Sequence, residues 1–279
     1  VPKISSKTES AKILDGAAQA DRILLAVRKK ILEAGYAPGL AVILIGDNPA
    51  SRLYVDLKEK AAEKVGIRFS KYLANSQCYG DIDEYELEEL ISFLNKDPDT
   101  DAILLQLPLP KGLDQNKIVK LIDKKKDADG FNRGPVVPPT IAAIMELLKS
   151  TEERLADKKT LIIGNSDVFI SEIGKHLKSG LKIKKIKQEH KIPSDSTGYD
   201  IIIIALGQAK ALKKPAIKPG AIIIDVGINK VDGKTVGDVN PEVYQVAEFI
   251  SPVPGGVGPL TVACLLRNVW KLAEKKANS

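Results

Sequence analysis

Short, mostly apolar runs limit what this chain can fold into. Leu40–Ile45, Ala102–Leu107, Thr160–Gly164, Asp200–Leu206 and Ala221–Val226 are strand-length. Leu40–Ile45, continuous and apolar, fits a strand covered on both faces, as in a parallel sheet. Two further strands, Arg68–Ala74 and Leu181–Lys187, carry a weaker apolar signal. Between the strands the repeat changes. Glu9–Ala34 places Ile13, Ala17, Ala20, Ile23, Leu24, Val27 and Ile31 at helical spacing and stops at Gly35. The same reasoning predicts helices over Pro49–Val65, Glu84–Asn95, Leu113–Asp123, Pro139–Lys149, after Gly164 to about Ser179, and over Leu260–Lys275. Strands alternating with helices specify an α/β fold of parallel βαβ units.

A chain of 279 residues makes one large domain or two modest ones. The polar Gly/Pro-rich stretch Lys126–Pro135 is a natural domain edge. No apolar run approaches the roughly 18 residues that cross a bilayer, and Val1-Pro-Lys-Ile has no leader-like apolar core. Cys78 and Cys264 are the only cysteines, and His176 and His190 the only histidines. A disulfide framework and a His/Cys metal centre are therefore not expected, and a reducing cytosol is. A histidine general base is poorly supplied, which favours Lys, Asp or Tyr for proton transfer without excluding it. The net charge is +6, with lysines grouped at Lys124–Lys126 and through Lys182–Lys191. Few aromatics accompany them, so these lysines read as a solvated surface that can attract anionic small molecules, not as a nucleic-acid face. Abundant Lys, Glu and Ile with few Cys and Met lean toward a heat-adapted source.

Asn48-Pro-Ala-Ser-Arg-Leu-Tyr-Val-Asp-Leu-Lys58 follows the first strand. Asp47 or Asn48 can cap a helix there, and Pro49 suits its first position. Tyr54 and Lys58 then share a face at a strand's carboxyl end, where open α/β sheets bind ligands. A phenol beside an ammonium can transfer protons, but a solvent-facing Tyr/Lys pair has the same spacing. In the second half Gly164, Gly207 and Gly227 each follow a strand. Such glycines let a dinucleotide approach the backbone, although Gly164-Asn-Ser-Asp-Val-Phe lacks the G-x-G-x-x-G pattern and ordinary α/β turns look alike. Ser251–Leu260 packs three glycines and three prolines ahead of the last helix, as a ligand loop or a crossover would.

Several segments, in order and spanning nearly the whole chain, resemble the bifunctional methylenetetrahydrofolate dehydrogenase/cyclohydrolase family. They are Gly46-Asp-Asn-Pro-Ala-Ser-Arg-Leu-Tyr-Val-Asp-Leu-Lys, Leu104-Leu-Gln-Leu-Pro-Leu-Pro, Lys126-Asp-Ala-Asp-Gly-Phe, Lys218-Pro-Gly-Ala-Ile-Ile-Ile-Asp-Val-Gly-Ile-Asn, Gly237-Asp-Val and Pro252-Val-Pro-Gly-Gly-Val-Gly-Pro-Leu-Thr-Val-Ala. The resemblance implies two domains around a cleft: a folate domain over residues 1–138, with helix 260–279 returning to it, and a Rossmann-like NAD(P) domain over 139–259. It also implies a cytosolic homodimer joined through the nucleotide domains, working on tetrahydrofolate derivatives in one-carbon metabolism that feeds purine and amino-acid synthesis, without a metal.

By the same resemblance Lys58 carries the hydrolytic step, Gln106 hydrogen-bonds it, Tyr54 stacks on and orients the folate, and Asp129 binds the pterin amino groups. Pro254, Gly255 and Gly256, within the Pro252–Pro259 loop, would wall the cleft. Gly164, Asn165, Ser166, Lys187, His190, Gly207, Gly227, Ile228 and Thr261 would contact the dinucleotide. The chain departs from the family at this end. Asn165 replaces a common arginine, Phe169-Ile170 and Glu172 follow where Val-Gly and a proline are usual, and Lys187-Gln-Glu-His-Lys stands near a usual Cys-His-Ser. Pro138-Pro-Thr-Ile also replaces Pro-Cys-Thr-Pro. Lys187, His190 or Lys191 could meet an NADP 2′-phosphate and Glu189 an NAD 2′-hydroxyl; NADP is the expected cofactor and NAD the alternative. A member with one activity, or a binding module without catalysis, would share the cofactor-side changes. Short-chain dehydrogenases share Tyr-x-x-x-Lys, but their nucleotide turn precedes it, and here the nucleotide-like half follows.

Overall fold

The computed structural model describes residues 10–74, 83–177, 182–187, 192 and 196–277, apart from the side chains of Val168 and of 182–187. It divides into two compact units, one of Ala20–Pro139 with the described residues from Thr261 on, the other of Thr140–Leu260 with the described residues up to Gln19.

The chain begins with β1 (Lys12–Ile13) and α1 (Gly16–Ala34), followed by β2 (Gly39–Ile45), α2 (Pro49–Val65), β3 (Arg68–Ala74), α3 (Glu84–Lys96), β4 (Ala102–Gln106) and the short α4 (Gln115–Val119). Strands β3, β2 and β4 form a parallel sheet in that order, with Val42 opposite both Lys71 and Leu104. Every residue of β2 and β4 is buried. Alternation along those strands feeds two cores. Leu40, Val42, Leu44, Ala102 and Leu104 pack with Val27 and Ile31 of α1, Val55 and Val65 of α2, and Leu266, Val269 and Trp270 near the carboxyl end of the chain. Ala41, Ile43, Ile103 and Leu105 pack with Leu87, Ile91 and Leu94 of α3 and with Ile118.

The second unit adds α5 (Pro139–Lys149), β5 (Lys159–Gly164), α6 (Asp167–His176), β6 (Lys182–Lys187), β7 (Ile201–Ala205), β8 (Ile222–Asp225), the hairpin β9 (Asn229–Val231) and β10 (Lys234–Val236), β11 (Phe249–Ile250) and the start of α7 (Val257–Ala277). Its main sheet is parallel among the described residues, in the order β6-β5-β7-β8-β11-β1. Leu161, Ile163, Ile202, Ile204, Ile223 and Ile250 make one core face. The chain leaves β5 toward β6 and returns on its other side as β7, which creates a topological switch point between β5 and β7.

Several boundaries differ from the sequence expectation. The helix expected over Glu9–Ala34 starts only at Gly16, because Lys12–Ile13 is drawn into a parallel edge pairing with Phe249–Ile250. The described residues up to Gln19 therefore group with the nucleotide-like unit and not with the first domain. The last helix begins at Val257, three residues before the expected Leu260; Pro259 fits within its first turn, where backbone N–H groups have no helical partner anyway. Leu113–Asp123 shrinks to α4, and the chain then continues in i→i+3 turns at Lys120, Leu121 and Ile122. The β9–β10 hairpin turns on Asp232-Gly233, whose φ of 49° and 75° give the left-handed turn that Asp-Gly favours.

Candidate active site

In the first unit α2 forms where the sequence places it. Asn48 Oδ1 accepts the N–H of Ala50 at 2.9 Å and of Ser51 at 3.2 Å, Pro49 takes the first turn, and Gly66 closes the helix at φ 89°. Tyr54 (36% exposed) and part-buried Lys58 lie one turn apart on it. Gln106, the last residue of β4, is almost wholly buried. Lys58 Nζ donates to Gln106 Oε1 at 2.7 Å, and Gln106 Nε2 donates to the Leu107 carbonyl at 2.7 Å. The amide is thus oriented with its oxygen toward the lysine.

Asp129 reaches the same place from the loop beside β4. Ile103 and Asp127 form a parallel bridge in which Ile103 N–H donates to the Lys126 carbonyl and Ala128 N–H to the Ile103 carbonyl. Asp127, buried, receives the N–H groups of Asp129, Gly130 and Asn132 at 3.1, 3.0 and 2.7 Å. Asn132 ties the loop to the Val119 and Ile122 carbonyls. Lys126 Nζ caps the end of α3 through the Leu94 and Asp97 carbonyls. Of the loop's two acids, Asp127 shapes it and Asp129 acts on Lys58.

The charges of this cluster are set by burial. Burial pushes the Lys58 ammonium below the ordinary lysine range, and the Asp129 charge opposes that fall. Burial raises Asp129 to about 6; Lys58 pulls it down and Asp127 adds to the rise. Asp127 is also raised by burial, against the backbone N–H groups of Asn132, Gly130, Asp129 and Phe131. The outcome is a lysine whose proton is held less tightly and an acid whose pKa is raised to about 6, a pairing that suits proton transfer.

Behind this cluster α7 closes the unit. Asn268, 2% exposed, donates to the carbonyls of Ala128 at 3.1 Å and Val137 at 2.8 Å. Lys276 reaches the Pro98 carbonyl and the buried Asp101 carboxylate. The return of the last helix was legible from resemblance, whereas Asn268, a lone polar residue on an apolar stripe, was not singled out.

In the second unit the switch point carries Gly164, Asn165 and Ser166. Ser166 Oγ caps α6 by accepting Phe169 N–H at 3.3 Å. Asn165 Nδ2 donates to the Leu206 carbonyl at 3.0 Å, so its side chain spans the ends of β5 and β7. Gly207 has φ 68°, and the Asn165 amide, at 3.9 Å, is the nearest atom to a Cβ built on it. Gly164 faces Ile170 and makes room for α6. Gly227 faces the carboxylate of Asp238, and Gly237 that of Asp225, each closer than any side chain could tolerate. The glycine after β8 therefore serves an internal contact. Ile228 is 46% exposed; Thr261, part-buried in the first turn of α7, belongs to the first unit and not to this one. Gly255 (φ 104°) accepts from Ala17 N–H at 3.0 Å, Gly256 is pressed against Gly16, and Pro254 is exposed. Lys187 contributes described backbone only, and Glu189, His190, Lys191 and Cys78 lie outside the described residues.

Asp225 and Asp238 carried no expected role, although each sits in a motif that bears the resemblance. Both are buried. A carboxylate next to a strand-end glycine was the available signal. The switch point, the open left-handed Gly207 and the capped α6 fit a dinucleotide. Among the described residues no group of three or more His, Cys, Asp or Glu is placed to hold a metal, and no helix is long and apolar enough to cross a membrane.

Comparison with known proteins agrees with this geometry. The model of the tetrahydrofolate dehydrogenase/cyclohydrolase catalytic domain matches residues 14–129, and that of its NAD(P)-binding domain matches residues 138–277. The bifunctional protein FolD of Bacillus licheniformis is 39% identical over 285 aligned positions, covering 95% of this chain and 98% of that protein. The crystal structure of the bifunctional FolD dehydrogenase/cyclohydrolase from Campylobacter jejuni superposes with a TM-score of 0.86 at 36% identity, covering 96% of this chain and all of that one. The Trypanosoma brucei enzyme, solved with NADP cofactor and an inhibitor, superposes with a TM-score of 0.87 at 30% identity over 97% of this chain and all of that one. With both domain models matched across most of its length, the chain belongs to the tetrahydrofolate dehydrogenase/cyclohydrolase family.

Proposed function

We propose that this protein oxidises 5,10-methylenetetrahydrofolate to the 5,10-methenyl cation with NADP⁺ and hydrolyses that cation to 10-formyltetrahydrofolate. The observation that carries the reading is the Lys58–Gln106 hydrogen bond, with Asp129 acting on the same lysine. Bound NADP⁺ supplies the hydride acceptor. The chain supplies the rest.

Tyr54 offers an exposed ring on the Lys58 face for the folate to lie against. An ionised Asp129 accepts from the pterin amino groups. The cationic substrate adds to the effect of burial and favours neutral Lys58. Water then adds to the methenyl carbon, one of its protons passes to Lys58 Nζ, and the second moves to N5 as the carbon–N5 bond breaks. One proton is released overall. Gln106 keeps the lysine aimed through a neutral acceptor, which leaves its basicity free to fall.

Gly207, Ser166, Asn165 and the α6 N-terminus are read as the dinucleotide contacts. Asn165 is tied to Leu206, so selection of a 2′-phosphate falls to the basic stretch from Lys187 to Lys191. NADP⁺ over NAD⁺ is supported by that lysine-rich sequence and by the NADP-bound relative. A cytosolic homodimer is the assembly we read from the family resemblance.

The test is initial rate with 5,10-methylenetetrahydrofolate and NADP⁺ or NAD⁺, together with cofactor-free hydrolysis of the methenyl compound. The reading expects both activities and a preference for NADP⁺. Hydrolysis without reduction of either nucleotide would leave a cyclohydrolase alone.

A further inference from the structure

Two buried carboxylates stand at the carboxyl edge of the nucleotide unit, and the chemistry above uses neither. Asp238 receives the N–H groups of three successive residues: Leu206 and Gly207 on Oδ2 at 2.5 and 3.1 Å, and Gln208 on Oδ1 at 2.8 Å. A fourth donor, Asn229 Nδ2, reaches Oδ1 at 2.9 Å. Successive N–H groups of this kind form a concave anion site. Here the anion is part of the chain. Asp238 is itself held by Asp225, which accepts from the N–H groups of Gly227, Asp238 and Val239 at 3.0, 3.1 and 2.9 Å. Ser251 Oγ accepts from Asp225 N–H at 2.8 Å. The contacts run from the end of β11 through β8 to β7, and Gly227 and Gly237 lack a Cβ because the two carboxylates occupy that space.

We propose that Asp238 is a positioning residue for the dinucleotide. By filling the amide cradle of Leu206–Gln208 it fixes the left-handed Gly207 turn beside the β5–β7 switch point. It also closes that cradle to phosphate, which leaves the α6 N-terminus as the pyrophosphate position. An asparagine at 238 cannot reproduce this, because its amide nitrogen would meet backbone donors with another donor. The inference rests on reading this unit as the nucleotide site.

The test uses full-length Asp238→Asn and the milder Asn229→Ala, which removes one donor from the carboxylate and leaves the backbone array intact. NADP⁺ dissociation constants are measured by calorimetry, cofactor-free methenyltetrahydrofolate hydrolysis is followed in parallel, and amide exchange is read at Gly207 and Gln208. For Asp238→Asn we expect at least a tenfold weaker Kd, hydrolysis within twofold of the parent protein, and lost protection at those two amides with the strand amides of β5 and β7 still protected. For Asn229→Ala we expect a loss of about threefold. NADP⁺ binding unchanged in both variants would overturn the proposal, as would weaker binding in Asp238→Asn with Gly207 and Gln208 still protected. If Asp238→Asn does not fold, the Asn229→Ala affinity decides alone. Failure of the parent protein to bind NADP⁺ would instead overturn the nucleotide reading on which the proposal rests.

Discussion

Lys58 Nζ donates to Gln106 Oε1 across 2.7 Å, and the acceptor is a neutral amide. A carboxylate at that position would hold the lysine charged. Gln106→Glu is therefore expected to move the acidic limb of the pH–rate profile for methenyl hydrolysis upward by about one unit or more. An unmoved limb would remove Gln106 from the tuning of Lys58.

Lys58→Met keeps the length and apolar stem of the side chain but removes the amine. Methenyl hydrolysis should fall by roughly 10²–10⁴, the range general base catalysis contributes, while hydride transfer survives in part. Following the methenyl product and its decay separately by absorbance would show the split. Equal losses in both steps would mean that Lys58 acts on substrate binding alone.

Asp129, raised to about 6, should make the folate KM climb as the pH falls through that value. Asp129→Asn should lift KM by roughly 10-fold or more near neutral pH, since a charge-assisted hydrogen bond contributes about 1.5–3 kcal/mol. Its KM should also lose the pH dependence. A variant KM equal to that of the parent protein would refute pterin recognition by this residue.

The same residue has an opposite effect on stability. Its folded pKa lies above the ordinary carboxylate value of 3.8, so its contribution favours folding below that value and is lost as pH rises through about 6. Asp129→Asn should thus melt no lower than the parent protein at pH 8, with the comparison turning toward the parent as the pH approaches 4. A clear loss of melting temperature at pH 8 would mean that Asp129 is held chiefly for structure.

Asn268→Ala leaves the Ala128 and Val137 carbonyls without their donor inside the first unit. The expected cost is about 2–4 kcal/mol, from two hydrogen bonds lost with desolvated acceptors left behind. Chemical denaturation would measure it. A change under 0.5 kcal/mol would mean that water replaces the amide.

The geometry of α2 was legible because its signals are local. Asn48-Pro49 starts α2 and Gly66 ends it, so the shared face of Tyr54 and Lys58 follows from spacing alone. The partnership of Lys58 with Gln106, 48 residues away, does not, and resemblance supplied it. Asp225 and Asp238 were overlooked for the opposite reason. Each is a single acid in an apolar surrounding, and only the folded backbone shows whose N–H groups it receives. Strands β1 and β11 were missed because two residues have no periodicity to read.

The sequence by itself determined the α/β class, the parallel strands and most helix limits, because apolar periodicity, caps and glycine stops act over a few residues. It also carried the family's motifs in order. Tertiary structure decided which strands are neighbours, where the chain reverses between β5 and β7, that Lys58 hydrogen-bonds Gln106, and that it feels the charge of Asp129. It also decided their charges: the pKa of a lysine or an acid depends on how much water and which ions surround it, and burial brings that about only once distant segments have packed.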